Sequence, residues 1–120
     1  MTEAELQASV LEIAQLLEWM RAHFRAARTS RGWRTPVEGD GKGFPDLVLL
    51  RRERMIVAEL KGDGGKPSPE QLLWLAAFDM VPGIEVYLWS PDEWHTGWIE
   101  TVLKAAAAPD MFAIPAQRAS

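Results

Sequence analysis

Leu6, Val10, Ile13, Leu17, Met20 and Phe24 return at steps of three and four, the spacing that lines one face of a helix. It predicts an amphipathic helix from Thr2 to Phe24, opened by a capping box in which Thr2 meets Glu5 three residues on. On a helical wheel Glu5, Ser9 and Glu12 fall together along the border between this stripe and solvent. A carboxylate there can reach toward a site on the sheet that the helix covers. The plainer reading makes Glu5 only a cap and Glu12 only surface.

The period is lost between Ala26 and Lys42, where the chain is polar, basic and rich in glycine, so this stretch reads as a long loop with a short strand near Trp33. Leu47 to Leu50 is an unbroken apolar run, as expected of a strand covered on both faces. A charged turn, Arg51 to Arg54, leads into a second strand, Met55 to Lys61, and then a glycine-rich loop, Gly62 to Pro67. Ser68-Pro69-Glu70-Gln71 announces a helix, with serine at the N-cap, proline in the first turn and glutamine placed to close a capping box. Leu72, Leu75, Ala76 and Met80 are its expected buried face, with Trp74 and Phe78 nearby, and Pro82-Gly83 ends it. Ile84 to Trp89 alternates as a strand, and Ser90-Pro91 opens a weaker helical segment around Trp94 to Ala107, interrupted near Gly97. The fold class is α/β, a small mixed β-sheet flanked by helices in the order α-β-β-(β)-α-β-α. One domain spans residues 1–108, with a patternless tail at 109–120.

Composition narrows the chemistry. Without cysteine there is no disulfide, thiolate or cysteine-held zinc, and two histidines, His23 and His95, are too few for a histidine-rich metal site. His23 reads as a phosphate contact or plain surface, and His95 as surface. Any metal must be held mainly by oxygen, which favours Mg²⁺ or Mn²⁺. No apolar run is long enough to span a bilayer, and the acidic N-terminus lacks a signal-peptide pattern, so a cytoplasmic location is expected.

The formal net charge of −4 is unevenly spread: between positions 21 and 54 nine basic residues face four acidic ones, a local +5, leaving −9 elsewhere. A basic segment on an acidic body can bind a polyanion through one face, or be no more than a solvated surface. Arginines beside Trp33 suit the first reading, gripping phosphates while the ring packs on a base or sugar. A tryptophan covering the edge of the core is the alternative.

Chemistry gathers between Gly43 and Lys61. If the two apolar runs pair as a hairpin, Asp46 lies opposite the end of the second strand, where Glu59 and Lys61 share a face and Leu60 turns inward. Two acids and a lysine at one point are costly to bury singly, yet ordinary around a divalent cation. Held by Asp46, Glu59 and the Leu60 carbonyl, such a cation suits phosphodiester hydrolysis, with Lys61 orienting water or stabilising negative charge.

Gly43-Phe44-Pro45-Asp46, Glu59-Leu60-Lys61 and Ser68-Pro69-Glu70-Gln71 with Trp74-Leu75 together resemble the PD-(D/E)xK nuclease superfamily. More narrowly they resemble its VRR-NUC branch, in the small stand-alone form of phages and prophages. The resemblance runs from about Glu5 to Trp94 and implies a restriction-endonuclease-like core. It implies that Asp46 and Glu59 bind Mg²⁺ or Mn²⁺ with the Leu60 carbonyl, that Lys61 is catalytic, that Gln71 lies near the site, and that Glu5 completes the metal shell. A pure capping role for Gln71 competes with the third of these. The implied activity is a metal-dependent endodeoxyribonuclease, working as a homodimer on branched DNA such as four-way junctions. Arg28, Arg31, Arg34, Lys42 and Lys66 are the candidate DNA contacts, although the stretched basic loop departs from the stand-alone pattern. A non-catalytic DNA-binding protein on a nuclease fold, or a nuclease subunit needing a partner chain, is the alternative.

Replacing Arg28, Arg31 and Arg34 together by glutamine is expected to weaken DNA binding and flatten its dependence on salt, by about one unit of log–log slope for each phosphate that is no longer neutralised. Titrations between low and moderate salt check this, and an unchanged slope would remove the loop from the interface.

Overall fold

A left-handed residue, Glu18, stops the first helix well before its apolar spacing runs out. In the computed structural model, which describes residues 1–24 and 39–109 and the backbone of 27–29 and 32–34, helix α1 covers only Glu3–Leu16. Glu18 takes φ of 67°, its amide donates to the Gln15 carbonyl, and the Trp19 amide donates to Ala14 at 2.9 Å. This is a Schellman ending with glutamate where glycine is usual. Trp19 justifies the strain: it is buried, its indole N–H donates to the Leu103 carbonyl at 3.1 Å, and the guanidinium groups of Arg51 and Arg54 lie over its ring. Met20 and Phe24, expected on the helix, therefore lie beyond it; Met20 begins a strand and is 74% exposed.

That strand, β1 (Met20–His23), pairs antiparallel with β4 (Leu47–Arg51), which forms an antiparallel hairpin with β5 (Arg54–Leu60). Between β1 and β4, β2 (Ala27–Thr29) and β3 (Gly32–Arg34) make a small separate hairpin containing Trp33. Strand β6 (Ile84–Trp89) joins β5 in parallel, giving a mixed four-stranded sheet in the order β1-β4-β5-β6. The crossover between β5 and β6 is helix α2 (Pro69–Asp79), and α3 (Pro91–His95) and α4 (Trp98–Lys104) close the fold on either side of Gly97. Counting the strands of this sheet alone, the order is α-β-β-β-α-β-α, as expected, although β1 lies where the apolar spacing predicts the first helix to continue.

The register assigns the two faces. Leu47, Leu49, Ile56, Ala58, Leu60, Tyr87 and Trp89 share one face, and all are buried with Leu6, Val10 and Ala14 of α1 and Ile99, Val102 and Leu103 of α4. The other face carries Met20, Val48, Leu50, Val57, Glu59 and Val86, and α2 packs on its β5–β6 half. Leu50 is consequently exposed, so β4 is not covered on both faces as its unbroken run suggests. Helix α2 also differs from expectation, because Leu75 is its buried residue while Leu72, Ala76 and Met80 face outward.

At the hairpin end of the sheet, two arginines tie the helices down. Arg51 donates to the Leu17 carbonyl at the end of α1 and to Ala105 after α4. Arg54, buried, donates to Val102 and Ala105 and makes a two-pronged bond to Glu85, at 2.8 and 2.7 Å. Glu85 also accepts from the Tyr87 hydroxyl at 2.8 Å. Cutting one partner from such a buried pair leaves the other charge uncompensated. Arg54→Met is expected to lower stability by about 3–5 kcal/mol, read as a shift in the urea midpoint; a midpoint unchanged from wild type would show that the pair is dispensable.

Candidate active site

The opposite end of the sheet, where β4 begins and β5 ends, holds the acids. Asp46 is delivered by the Gly43–Pro45 turn, which packs directly against the start of α2. Gly43 has φ of 83°, and a Cβ there would stand 2.7 Å from the Glu70 backbone and 2.8 Å from the Gln71 amide nitrogen. Only glycine fits both the angle and the gap. Phe44 is wedged edge-on between Phe24 and Trp74, each 5.0 Å between ring centres, and the Trp74 indole donates to the Asp40 carbonyl at 2.9 Å. The Phe24 amide donates to the Asp46 carbonyl at 2.9 Å, which fixes the backbone, and the Asp46 carboxylate accepts from the Leu60 amide at 2.9 Å, which fixes the side chain.

Glu59 faces it across the ladder, since Leu47 pairs with Ala58 and the next step out sets Asp46 opposite Glu59. Its residue is 1% exposed. One carboxylate oxygen accepts from Gln71 Nε2 at 3.0 Å and lies 3.6 Å from the Lys61 ammonium. The other, Oε1, is buried and meets no hydrogen-bond donor among the described residues, its neighbour Asp46 being a second carboxyl. Burial, with the Asp46 carboxyl beside it adding hydrogen bonding and repulsion, pushes the Glu59 carboxyl up to about 9, against the opposing pull of Lys61.

Gln71 does two things with one amide. Its Oε1 accepts from the Ser68 amide at 2.8 Å while Ser68 Oγ accepts from the Gln71 amide at 3.2 Å, completing the capping box, and its Nε2 is left to hold Glu59. Cap and site contact are therefore not alternatives.

The structure does not bring Glu5 to this cluster. Glu5 is exposed and closes the α1 capping box with Thr2, whose backbone amide, then hydroxyl, hold its carboxyl below the usual range. The acid of α1 that does arrive is Glu3, with Oε1 3.9 Å from the Lys61 ammonium. Burial, then Asp46, raise its carboxyl above the usual value, and Lys61 opposes them. Gly62 makes this approach possible, because a Cβ there would stand 2.6 Å from the Glu3 amide nitrogen. No periodic pattern marks Glu3; the sequence shows it only as an acid in the first turn of the predicted helix.

Of the other expected residues, Lys42 pairs with Glu70 at 3.0 Å at the start of α2, and Lys66 is exposed on the loop after β5. Arg31 and the side chains of Arg28 and Arg34 lie outside the described residues.

A cation fits the donor set. Among the described residues no three acid or histidine side chains form a closed cage. Two adjacent carboxylates, one with an unused buried oxygen, and a backbone carbonyl suit a hard ion that keeps much of its water, as Mg²⁺ does. In a strand the carbonyl of Leu60 leaves on the same side as its amide, toward Asp46. A surface groove of about 650 Å³, lined by Leu17, Met20, Leu50 and Arg51, lies at the hairpin end and holds none of these residues.

The VRR-NUC domain model matches residues 4–89, a span that includes Asp46, Glu59, Lys61 and Gln71 and stops at the end of β6. No curated protein matches the chain significantly.

Since the folded-state value of Glu59 lies above its ordinary 4.5, its contribution to stability is whole below pH 4.5 and is lost as pH rises through about 9. Glu59→Gln keeps the shape and removes the proton. In chelator, the variant is expected to match wild type near pH 5 and to exceed it near pH 8 by about 1–3 kcal/mol. Thermal unfolding across that range checks this, and parallel pH profiles for the two proteins would contradict it.

Proposed function

The chain belongs to the VRR-NUC domain family, and with the nuclease-type function this implies as premise, we propose that it is a divalent-metal-dependent DNA endonuclease. The observation that carries the reading is the buried Glu59 carboxyl packed beside the carboxyl of Asp46, one Glu59 oxygen meeting no donor among the described residues and the other lying 3.6 Å from the Lys61 ammonium. In this reading Asp46, Glu59 and the Leu60 carbonyl hold Mg²⁺ or Mn²⁺. A bound cation would supply neutralisation of charge on the phosphate and a more acidic water.

The protein's own groups do the positioning. Gln71 restrains Glu59 from α2, and the Leu60 amide restrains Asp46, so neither carboxylate is free to turn away. Lys61 donates protons only; aimed past Glu59, it orients a water for in-line attack or stabilises negative charge as it develops. Glu3 keeps the Lys61 ammonium at the sheet end and takes the place that the resemblance gave to Glu5. Lys42, Lys66 and the basic segment around Arg28, Arg31 and Arg34 contact the DNA backbone.

We extend the proposal to branched DNA, such as a four-way junction, as substrate and to a homodimer as the working unit, since one small domain offers little surface for two arms.

Incubating the protein with a labelled four-way junction, a flap and a linear duplex, in Mg²⁺, Mn²⁺ or EDTA, tests the reading. Cleavage is expected in either metal and absent in EDTA. Asp46→Asn and Lys61→Ala are expected to lower cleavage at least about 100-fold with the fold and DNA binding retained. Glu3→Gln is expected to lower it further than Glu5→Gln. DNA binding without cleavage in both metals would refute the enzyme reading, and equal effects at Glu3 and Glu5 would remove Glu3 from it.

A further inference from the structure

Helix α2 turns an apolar stripe outward. Leu73 is 71% and Met80 85% exposed, and Ala76 and Ala77 between them are exposed too. These positions follow the i, i+3, i+4, i+7 pattern of a packing face, yet it points away from the sheet, which α2 meets through Leu75 and Gln71. Leu72 and Val81, both exposed, widen the stripe at its two ends. Half of the large hydrophobic residues exposed along the described chain therefore sit on or just after one helix of 11 residues.

The stripe is a palindrome of size: large, small, small, large at 73, 76, 77 and 80. Laid antiparallel on itself about a point between Ala76 and Ala77, Leu73 meets Met80 of the second copy and Ala76 meets its Ala77, so each contact occurs twice. That is the condition for a two-fold, isologous interface. Alanines at the crossing let two helices approach to about 8 Å, and antiparallel packing sets the positive end of each helix dipole beside the negative end of the other. A groove of about 520 Å³ beside the stripe, lined by Leu73, Trp74, Ala77 and Lys42, offers space for the flexible Met80 side chain of the other copy. A specific interface buries about 1,200 Å² or more in total, and Leu72 and Val81, related by the same two-fold, extend the stripe toward that size.

We propose that α2 is the dimerisation helix and that its Leu73-Ala76-Ala77-Met80 stripe packs antiparallel on the same stripe of a second copy. This deepens the homodimer reading by naming its surface, and it stands whether or not the protein cleaves DNA. Gln71 lies two residues before Leu73 on the same helix, so the pairing also ties the geometry of one site to the other: the two Gln71 backbones come to about 20 Å apart, from the rise per residue and the interhelical distance.

Sedimentation equilibrium over a range of protein concentrations, without DNA or metal, tests it. The wild type is expected to be a dimer, and Leu73→Glu with Met80→Glu to weaken association at least about 100-fold while the native circular dichroism and a cooperative unfolding transition are retained. A second variant, Ala76→Lys with Ala77→Lys, sets like charges against each other across the two-fold at positions where lysine suits a helix nearly as well as alanine. It is expected to be a folded monomer. A monomeric wild type at every concentration, or dimers that survive both variants, would overturn the proposal. So would loss of cooperative unfolding and of native circular dichroism in both, which would mean that the stripe is covered within the chain. Cleavage assays do not enter the readout, so failure here and failure of the nuclease reading are distinguishable.

Discussion

A carboxyl group buried with one oxygen unused is the constraint around which one end of this protein is built. Glu59 sits on the central strand of the sheet, where a neutral side chain would cost nothing, and its position forces every neighbour to answer for it. Gln71 donates to it, Lys61 stands beside it, and Asp46 is held opposite by the Leu60 amide. None of these groups satisfies Oε1. A fold selected only for stability would place an apolar residue there, as it does two residues back on the same face at Val57. The exception marks where the protein is arranged for something other than its own cohesion.

Two close backbone approaches make the arrangement possible. Gly43 lets the turn before Asp46 sit against the start of α2, and Gly62 lets the start of α1 sit against the chain just after Lys61. Both helices thus bring their N-terminal ends to the acids, and each contributes a side chain from its first turn, Glu3 from α1 and Gln71 from α2. At the other end of the sheet the polarity is answered in kind. Arg51 and Arg54 donate to the carbonyls at the C-terminal ends of α1 and α4, where positive charge complements the helix dipoles. One end of the sheet is bolted by guanidinium groups bonded to helix carbonyls and to Glu85, while the other holds a carboxyl oxygen that meets no donor among the described residues.

What the sequence made legible follows from the range of the interactions involved. The hairpin, the crossover helix and the final strand depend on local apolar runs and on Ser68, Pro69 and Gly97, and all appear where the pattern puts them. The convergence of Asp46 with Glu59 follows from strand alternation and an antiparallel register alone. The end of α1 was hidden because its Schellman turn uses Glu18 instead of glycine, and the reason for that strain, Trp19 docking on Leu103 and two arginines, spans 84 residues of sequence in its longest contact. The outward face of α2 was hidden for a related reason. Its residues are apolar nearly all round, so no period could say which side the sheet would take. Glu3 was missed in favour of Glu5 because the wheel ranks residues by their angle around the axis, whereas at a helix end the distance along the axis decides which one reaches a neighbour.

The double use of Gln71 links function to stability in a way that the cap-or-contact alternative conceals. Its amide has one acceptor and one donor end, and the Ser68 backbone takes the first. The capping box therefore does more than start α2: by fixing which end of the amide points inward, it guarantees that a donor, and not an acceptor, meets Glu59. A glutamate at this position would close the same box and present a third carboxylate to a pair already short of positive charge. Alanine would lose both roles. Glutamine is the side chain that caps by accepting while it donates at this reach, so the residue that begins the helix also orients the acid. The site and the helix cannot be perturbed separately through it.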